Sequence, residues 1–453
     1  MSTPRDAQAD WLRHVLEDKN TEQSPAPLYA WTAANLPGLK KAAAAAPSSG
    51  TLSTTADASA GPDDELRRRI FILGVGNLGR LFASSLVKLR RPGSPPPPIT
   101  LVVHRRELLE RWHANPGIEI TRGGRVERSC VDVDVEWWTE ERPVSGPLRE
   151  PGAGRGISNL IVATKAKDAL PQADRLRGYL TSKSTVAFTQ NGMCPMWPPR
   201  GPEYSAHRWP AGDGPNWIAC ITTHGVISLA PFQSVHASQA FISVGPVLLN
   251  SHQPGDDSPA TYLIDQLADA PHLDGKSVSR GDLWVLQLEK LMINSIINPL
   301  TALLDCKNGE LFTAHAQDGA IGKVMDSLIQ EASRVFQALV LNKKISSEIL
   351  GEEYVADEKS LKGLLDRLSF DSLRTMVLDV GFKVRENTSS MLQDVRAGRT
   401  TEIRAFNGWL VETAALLDPN LRLLTHENLI VLVEAGTRLK LGTPETEQLL
   451  SQL

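Results

Sequence analysis

The stretch from Arg67 to Leu89, RRRIFILGVGNLGRLFASSLVKL, constrains the fold more than any other part of the chain. An apolar run, Ile70 to Leu73, leads into Gly74, Gly76 and Gly79 in GxGxxG spacing, and an amphipathic helical pattern follows. Gly74 permits a tight turn, Gly76 lets the backbone approach a pyrophosphate, and Gly79 lets helix pack on strand, with the phosphates at the helix N-terminus. GxGxxG alone is a weak signal. The strand before it and the helix after it supply the context that makes dinucleotide binding the reading, over a glycine-rich turn of some other α/β protein. Gly74, Val75, Gly76, Asn77, Leu78 and Gly79 are the candidate contacts.

The end of the next strand bears on which dinucleotide. ITLVVHRRELLERW, Ile99 to Trp112, is β-branched and apolar up to Val103, and His104, Arg105 and Arg106 follow. An NAD site usually offers a carboxylate there, whereas an arginine accommodates the 2′-phosphate of NADP. The arginines favour NADPH, with Arg105 the first candidate and Arg106 open; the plainer alternative is a solvated helix start beside Glu107. Two further strand patterns, SNLIVATKAKD and STVAFTQNGMC, leave Lys165 and Asn191 just beyond their carboxyl ends. Ligands of doubly wound sheets sit there, so both residues can reach the cofactor or a substrate carboxylate, although either can also be an ordinary loop residue.

A second constellation lies in LEKLMINSIINPLTALLDCKNGEL, Leu288 to Leu311. Lys290, Asn294 and Asn298 recur at spacings of four, and at about 100° per residue they share one helical stripe. An ammonium and two carboxamides are expensive to bury without partners, and Met292, Ile293, Ile296, Ile297 and Leu300 leave little of the helix for water. The stripe is therefore expected to face a small polar ligand rather than solvent. Glu402 follows Thr400 and Thr401 at an apparent helix start, where the dipole favours a carboxylate; it can orient Lys290 or a substrate hydroxyl, or be a plain first-turn acid.

Taken together, GVGNLG, TKA around Lys165, QNGM around Asn191, TTHG at Thr222 to Gly225, KLMINSIINPLTALLDCKNGEL and NTSSMLQDVRAGRTTEIRAFNG resemble the ketopantoate reductases (2-dehydropantoate 2-reductases), from about Ile70 to the C-terminus. The resemblance implies NADPH-dependent reduction of ketopantoate to pantoate, a step of pantothenate and coenzyme A biosynthesis. Carried over position by position, it implies Lys290 as proton donor, with Asn294, Asn298, Asn308 and Ser390 around the substrate. Lys165, Asn191, the backbone near Val226, and Glu402 line the cofactor side, and Lys290 and Glu402 form the catalytic pair. The first 65 or so residues and inserts at Arg91 to Pro98, Glu141 to Gly156 and Trp197 to Pro215 have no counterpart in the compact form of the family. Two rivals are a reductase of the same fold for another 2-keto acid, and a non-catalytic NADPH-binding protein acting through a partner.

The expected fold class is α/β, a Rossmann-type dinucleotide-binding domain followed by an all-α C-terminal domain. Residues 1–65 read as a flexible extension, 66–280 as the NADP-binding domain and 281–453 as the helical substrate and catalytic domain, with the ligand cleft between the domains. Within the extension, Asp6 to Glu17 is a helical candidate and the Ala/Ser/Gly-rich run is too poor in apolar residues to order itself. Deleting residues 1–60 is expected to leave fold and activity unchanged, unless Trp11 to Leu16 and Tyr29 to Trp31 dock back. The Ser94 to Pro98 run reads as an extended spacer, or less simply as a docking site for a proline-recognising partner. Val131, Val133 and Val135 alternate with acidic residues, marking a strand with one exposed face, and Trp137 and Trp138 read as sheet-edge packing.

A length of 453 residues with 41% hydrophobic content suits two or three units, and a net charge of -4 gives no reason to expect nucleic acid or an anionic membrane as partner. Cys130, Cys194, Cys220 and Cys306 form no CxxC and read as reduced packing residues. No apolar run reaches a membrane span and no HExxH or paired histidine spacing suggests a metal; His224, in TTHG, reads as a hydrogen-bonded loop or core residue. The expectation is a cytoplasmic enzyme, monomer or homodimer, acting on a small molecule.

Overall fold

The computed structural model describes residues 7–18, 25–36, 62–129, 133–250 and 258–453. These fall into two compact units. One combines Asn191–Pro202 with Ser279–Leu453 and the start of the chain up to Val15; the other runs from Leu16 to Gln190 and from Glu203 to Val278.

The second unit is built on strands β1 (Tyr29–Trp31), β2 (Ile70–Leu73), β3 (Ile99–Val103), β4 (Ile118–Arg122), β5 (Arg125–Ser129), β6 (Val133–Thr139), β7 (Asn159–Val162), β8 (Thr185–Phe188), β9 (Asn216–Thr222), β10 (Gly225–Ala230), β11 (Gln233–Ser238), β12 (Ile242–Leu248) and β13 (Gly275–Ser277). Among the described residues the main sheet has the order β1-β6-β3-β2-β7-β8-β9-β12-β13, and a smaller one the order β10-β11-β4-β5. From β6 to β9 every neighbouring pair is parallel. Counted along the chain, those six strands lie in the doubly wound order 3-2-1-4-5-6, with the direction of winding reversing between β2 and β7. Every residue of β2, β3, β7 and β8 is buried, as a parallel sheet covered on both faces requires.

Residues 25–36 correct the expectation of a flexible extension over 1–65. β1 pairs antiparallel with β6, so it takes the sheet edge that Trp137 and Trp138 were expected to occupy. Leu28, Trp31 and Leu36 are buried, and the Trp31 and Trp137 rings lie 5.3 Å apart. The insert from Glu141 holds this segment from the other side: Ala30 N donates to Arg149 O (2.9 Å), Trp31 Nε1 to Glu141 O (2.7 Å), and Asn35 Nδ2 to Ser145 O and Pro147 O (both 2.9 Å). Three large buried side chains within nine positions offset the ordering cost that the low-complexity run cannot meet. The helix Ala7–Glu17 forms as the pattern predicts; residues 37–61 and Val131 lie outside the described residues.

Beside the sheet, His224 and His236 form one polarised chain. Arg122 Nε donates to His236 Nδ1 (3.2 Å), His236 Nε2 faces His224 Nδ1 (2.9 Å), which also accepts from Ala240 N (3.1 Å), and His224 Nε2 faces Leu273 O (3.1 Å). With both Nδ1 atoms accepting, both Nε2 atoms must donate, so both rings are neutral. Burial, then the neighbouring His224, Arg122 and His272, push His236 down to about 4, against the pull of Glu127. In the helical unit His426 is wholly buried and likewise pushed down to about 4.

Two outcomes are expected. Trp31→Ala should cost about 3 to 5 kcal/mol in urea unfolding of the sheet unit, as for a buried tryptophan elsewhere; loss under about 1 kcal/mol would return the segment to the status of a tail. The two lowered histidines make the unfolded chain the better proton binder between about pH 6.5 and 4, so stability is full above 6.5 and falls as pH drops through that window. For His426 the loss is on the order of 3 kcal/mol. A His426→Asn variant whose pH slope matches that of the parent would contradict this.

Candidate functional site

In the sheet unit the site is organised by the turn after β2. Gly74 has φ +110°, and a Cβ there would lie 2.8 Å from Ala163 O, just past β7; one at Gly79 would lie 1.9 Å from Gly74 O. The helix Asn77–Leu86 can thus start on the turn only because both residues are glycine. Gly76 differs: a Cβ would meet only Ala163 O, at 3.9 Å, which leaves open space over the turn. Gly76 caps that helix without a side-chain bond to its first amides. An open, amide-lined turn at the reversal of the sheet is what a dinucleotide pyrophosphate requires.

Val75 and Leu78 are partly buried against the core. Asn77 reaches the β10–β11 hairpin: its Nδ2 donates to Val226 O (2.8 Å), and its Oδ1 accepts from Arg80 Nη2 (2.8 Å). Arg80 is buried, donates also to Ala230 O (2.6 Å), Gln233 O (3.1 Å) and Ser228 Oγ (2.8 Å), and is pushed down to about 10 by burial. Its role as the clasp of the hairpin went unread in the sequence, where it looks like any helix-surface arginine. Beyond β3, Arg106 pairs with Glu110 (2.9 Å), while Arg105 is exposed at the cap of the same helix and has no ion pair among the described residues. Lys165 is exposed at the cap of the helix Ala166–Arg175, past the end of β7.

In the helical unit the predicted stripe lies on the helix Arg280–Leu304, capped by Ser279. Lys290 is half-buried and its Nζ donates to Asn191 Oδ1 at 2.8 Å. One turn on, Asn294 is half-buried, and its buried Nδ2 has no hydrogen-bond partner among the described residues. Asn298 is buried and makes a long 3.4 Å contact from Nδ2 to Ser390 Oγ. Asn308, buried, donates from Nδ2 to Val384 O (3.2 Å), while its Oδ1 lacks a partner among the described residues. Glu402 is half-buried and immediately precedes the helical turn that becomes a π-helix at Arg404–Gly408. Gly192 (φ +88°) would place a Cβ 2.7 Å from Ala405 O, so the Asn191 turn sits against the segment that carries Glu402. Lys290, Asn191 and the Glu402 segment are thereby brought together; Asn298 and Ser390 form a second pair two turns along.

Three supporting residues escaped the sequence reading. Gln287, one turn before Lys290, is buried, accepts from Trp197 Nε1 (2.5 Å) and donates to Gly192 O (3.3 Å), so it fixes the turn that presents Asn191. Asn407, inside the π-helix, donates from Nδ2 to Ser295 O (2.9 Å) and meets His426 Nδ1 (2.9 Å), anchoring that turn to the residue after Asn294. Gln287 falls three residues before Lys290 on the same face, a spacing that could have revealed it; nothing local marks Asn407 or His426.

Comparison with known proteins gives the family. Residues 70–248 match the family described as ketopantoate reductase PanE/ApbA, and 282–436 match its C-terminal domain. A ketoisovalerate reductase of Gibberella fujikuroi is 41% identical over 446 residues, covering 95% of this chain and 96% of that one. The ketoisovalerate reductase of Beauveria bassiana is 38% identical over 459 residues, again 95% and 96%. A probable 2-dehydropantoate 2-reductase of Schizosaccharomyces pombe is 28% identical, covering 80% of this chain and 97% of its own. In fold, the chain resembles a 2-dehydropantoate 2-reductase structure from Geobacter metallireducens, with TM-score 0.55 at 19% identity over 82% of this chain and 100% of that one. The chain belongs to the ketopantoate reductase family.

Proposed function

We propose that this protein reduces a branched 2-keto acid with NADPH, and that 2-ketoisovalerate is its better substrate. Membership of the family gives a nicotinamide dinucleotide as cofactor, and the glycine turn after β2 fits one. The substrate reading is supported by the two ketoisovalerate reductases, which match 95% of the chain at 41% and 38% identity, against 28% over 80% for the 2-dehydropantoate 2-reductase of Schizosaccharomyces pombe.

The observation that carries the reaction is Lys290 Nζ held 2.8 Å from Asn191 Oδ1, with the unpartnered Asn294 amide one turn away. When bound, the dinucleotide supplies hydride to the keto carbon. The oxygen then gains a pair of electrons, and Lys290 stands as the cation that meets it and gives up a proton, leaving a hydroxyl acid and a neutral amine that recovers its proton from water. Asn191 takes one donor direction of the ammonium and so fixes where Nζ sits. Asn294 Nδ2 offers a neutral donor to the substrate carboxylate, and Glu402 orients Lys290 or a substrate hydroxyl. Arg105 is the 2′-phosphate partner, since Arg106 is engaged by Glu110.

Reduction of ketopantoate is the second reading. It is favoured by Asn308, whose buried Oδ1 has no partner among the described residues and is an acceptor for a substrate hydroxyl. Steady-state kinetics with both acids, each with NADPH and NADH, decide between them. A kcat/KM at least about tenfold higher for ketopantoate would replace the first reading with the second, and no oxidation of NADPH with either would end both. Lys290→Ala should lower kcat/KM by at least about 100-fold while NADPH binding stays nearly intact. Arg105→Glu should weaken NADPH far more than NADH, because a phosphate-pairing cation becomes a carboxylate; equal losses would make Arg105 structural.

A further inference from the structure

The proline-rich insert builds a second concave site. Arg91-Pro92-Gly93-Ser94 closes a turn, with Ser94 N donating to Arg91 O (3.3 Å) and Gly93 at φ +71°. The prolines that follow cannot enter a helix, so they run extended as an apolar wall. Wall and the helix Pro259–Asp269 enclose a pocket of about 160 Å³, whose lining includes Arg68, Leu89, Arg91, Pro95 to Pro97, Tyr262 and Gln266. Arg68 precedes β2 and Pro97 precedes β3, so the pocket lies at the amino ends of these strands, whereas the glycine turn follows the carboxyl end of β2. It is therefore distinct from the dinucleotide turn.

Its polar groups are out of balance. Tyr262 donates to Arg68 O (2.9 Å). Arg68 Nε is taken by Asp64 (3.0 Å) and Arg91 Nη2 by Asp269 (2.6 Å), and in both pairs the carboxylate is the more exposed partner. Arg91 Nε is buried without a partner among the described residues. Gln266, one turn from Tyr262, is only 5% exposed, lines the pocket, and likewise has no hydrogen-bond partner among the described residues. Arg68 Nη1 reaches Pro96 O (3.4 Å), so the proline wall meets one donor with its own carbonyl, while Arg91 Nε and the Gln266 amide stay unmet, as buried polar groups seldom are. Such a surface suits an acceptor-rich head on a short apolar body, and the volume excludes a nucleotide.

We propose that this pocket binds a short aliphatic carboxylate, its head on Gln266 and Arg91 and its chain against Leu89 and the prolines. The site is independent of the reaction proposed above. The probe is 3-methylbutanoate, which has no keto group to reduce, titrated calorimetrically into the full chain, with 3-methylbutan-1-ol as the uncharged control. Expected is one saturable site that persists in Lys290→Ala, weakens at least tenfold in Gln266→Leu and in Arg91→Met, and does not take the alcohol. Both pocket variants should keep kcat/KM for keto-acid reduction within twofold of the parent, which also reports that they fold; should Gln266→Leu fail to fold, Arg91→Met carries the test. No saturable binding, equal binding of the alcohol, binding indifferent to the pocket variants, or binding lost in Lys290→Ala would each overturn the proposal.

Discussion

An ammonium set into an apolar helix has to be met by an oxygen, and the helical unit is arranged around meeting Lys290. Its partner Asn191 comes from a turn far away in sequence, which must leave the strand pattern that precedes it to reach the helix. Gln190 still belongs to the sheet unit, where its Nε2 holds Val162 O (2.7 Å); Asn191 to Pro202 belong with the helices. The change of allegiance between neighbouring residues is held by Gln287 on Gly192 and by the absence of a side chain at Gly192, which lets the turn lie against Ala405. Each contact is modest, about 1 kcal/mol net. Losing one would cost more, since it would leave a buried polar atom without its partner.

The π-helix shows the same logic. An extra residue per turn at Arg404–Gly408 leaves backbone groups out of step, and such turns persist only where other contacts hold them. Asn407 and the neutral, wholly buried His426 do so from the inside. Thr425 and His426 amides in turn rest on the carboxylate of Glu331 at 3.0 and 3.2 Å, so the network is satisfied down to the adjoining helix, apart from Asn407 Oδ1. The distortion begins two residues after Glu402.

Features with a local cause were legible in the sequence. The strand, glycine turn and helix from Ile70 to Leu86 follow from sterics acting over ten residues, and the Lys290 stripe from helical periodicity alone. Features whose cause is distant were not. Arg80 reads as a surface residue until the β10–β11 hairpin closes over it, and Asn407 is one asparagine among many until Ser295 and His426 flank it. The N-terminal segment was misread for a different reason. Composition averaged over 65 residues hides a twelve-residue stretch, 25–36, whose Leu28, Trp31 and Leu36 find a surface only because the Glu141 insert is folded beside β6. The segment 25–36 and the Glu141 insert thus supply one another's partners.

The same contrast bears on substrate choice. A pocket that merely tolerates a hydroxyl discriminates weakly, by about 100-fold, whereas a site that needs one to satisfy its own buried groups can reject the analogue lacking it by about 10⁴. What matters is therefore which polar atoms remain unmet in the protein alone. Asn294 Nδ2 lies on the stripe beside Lys290 and calls for an acceptor, which any 2-keto acid provides through its carboxylate. Asn298 and Ser390 already touch, however loosely, so a substrate without a hydroxyl leaves neither of them bare. The unmet Asn308 Oδ1 is the atom that a substrate hydroxyl would satisfy, so the carboxylate is called for by Asn294 and the preference between the two acids rests on Asn308.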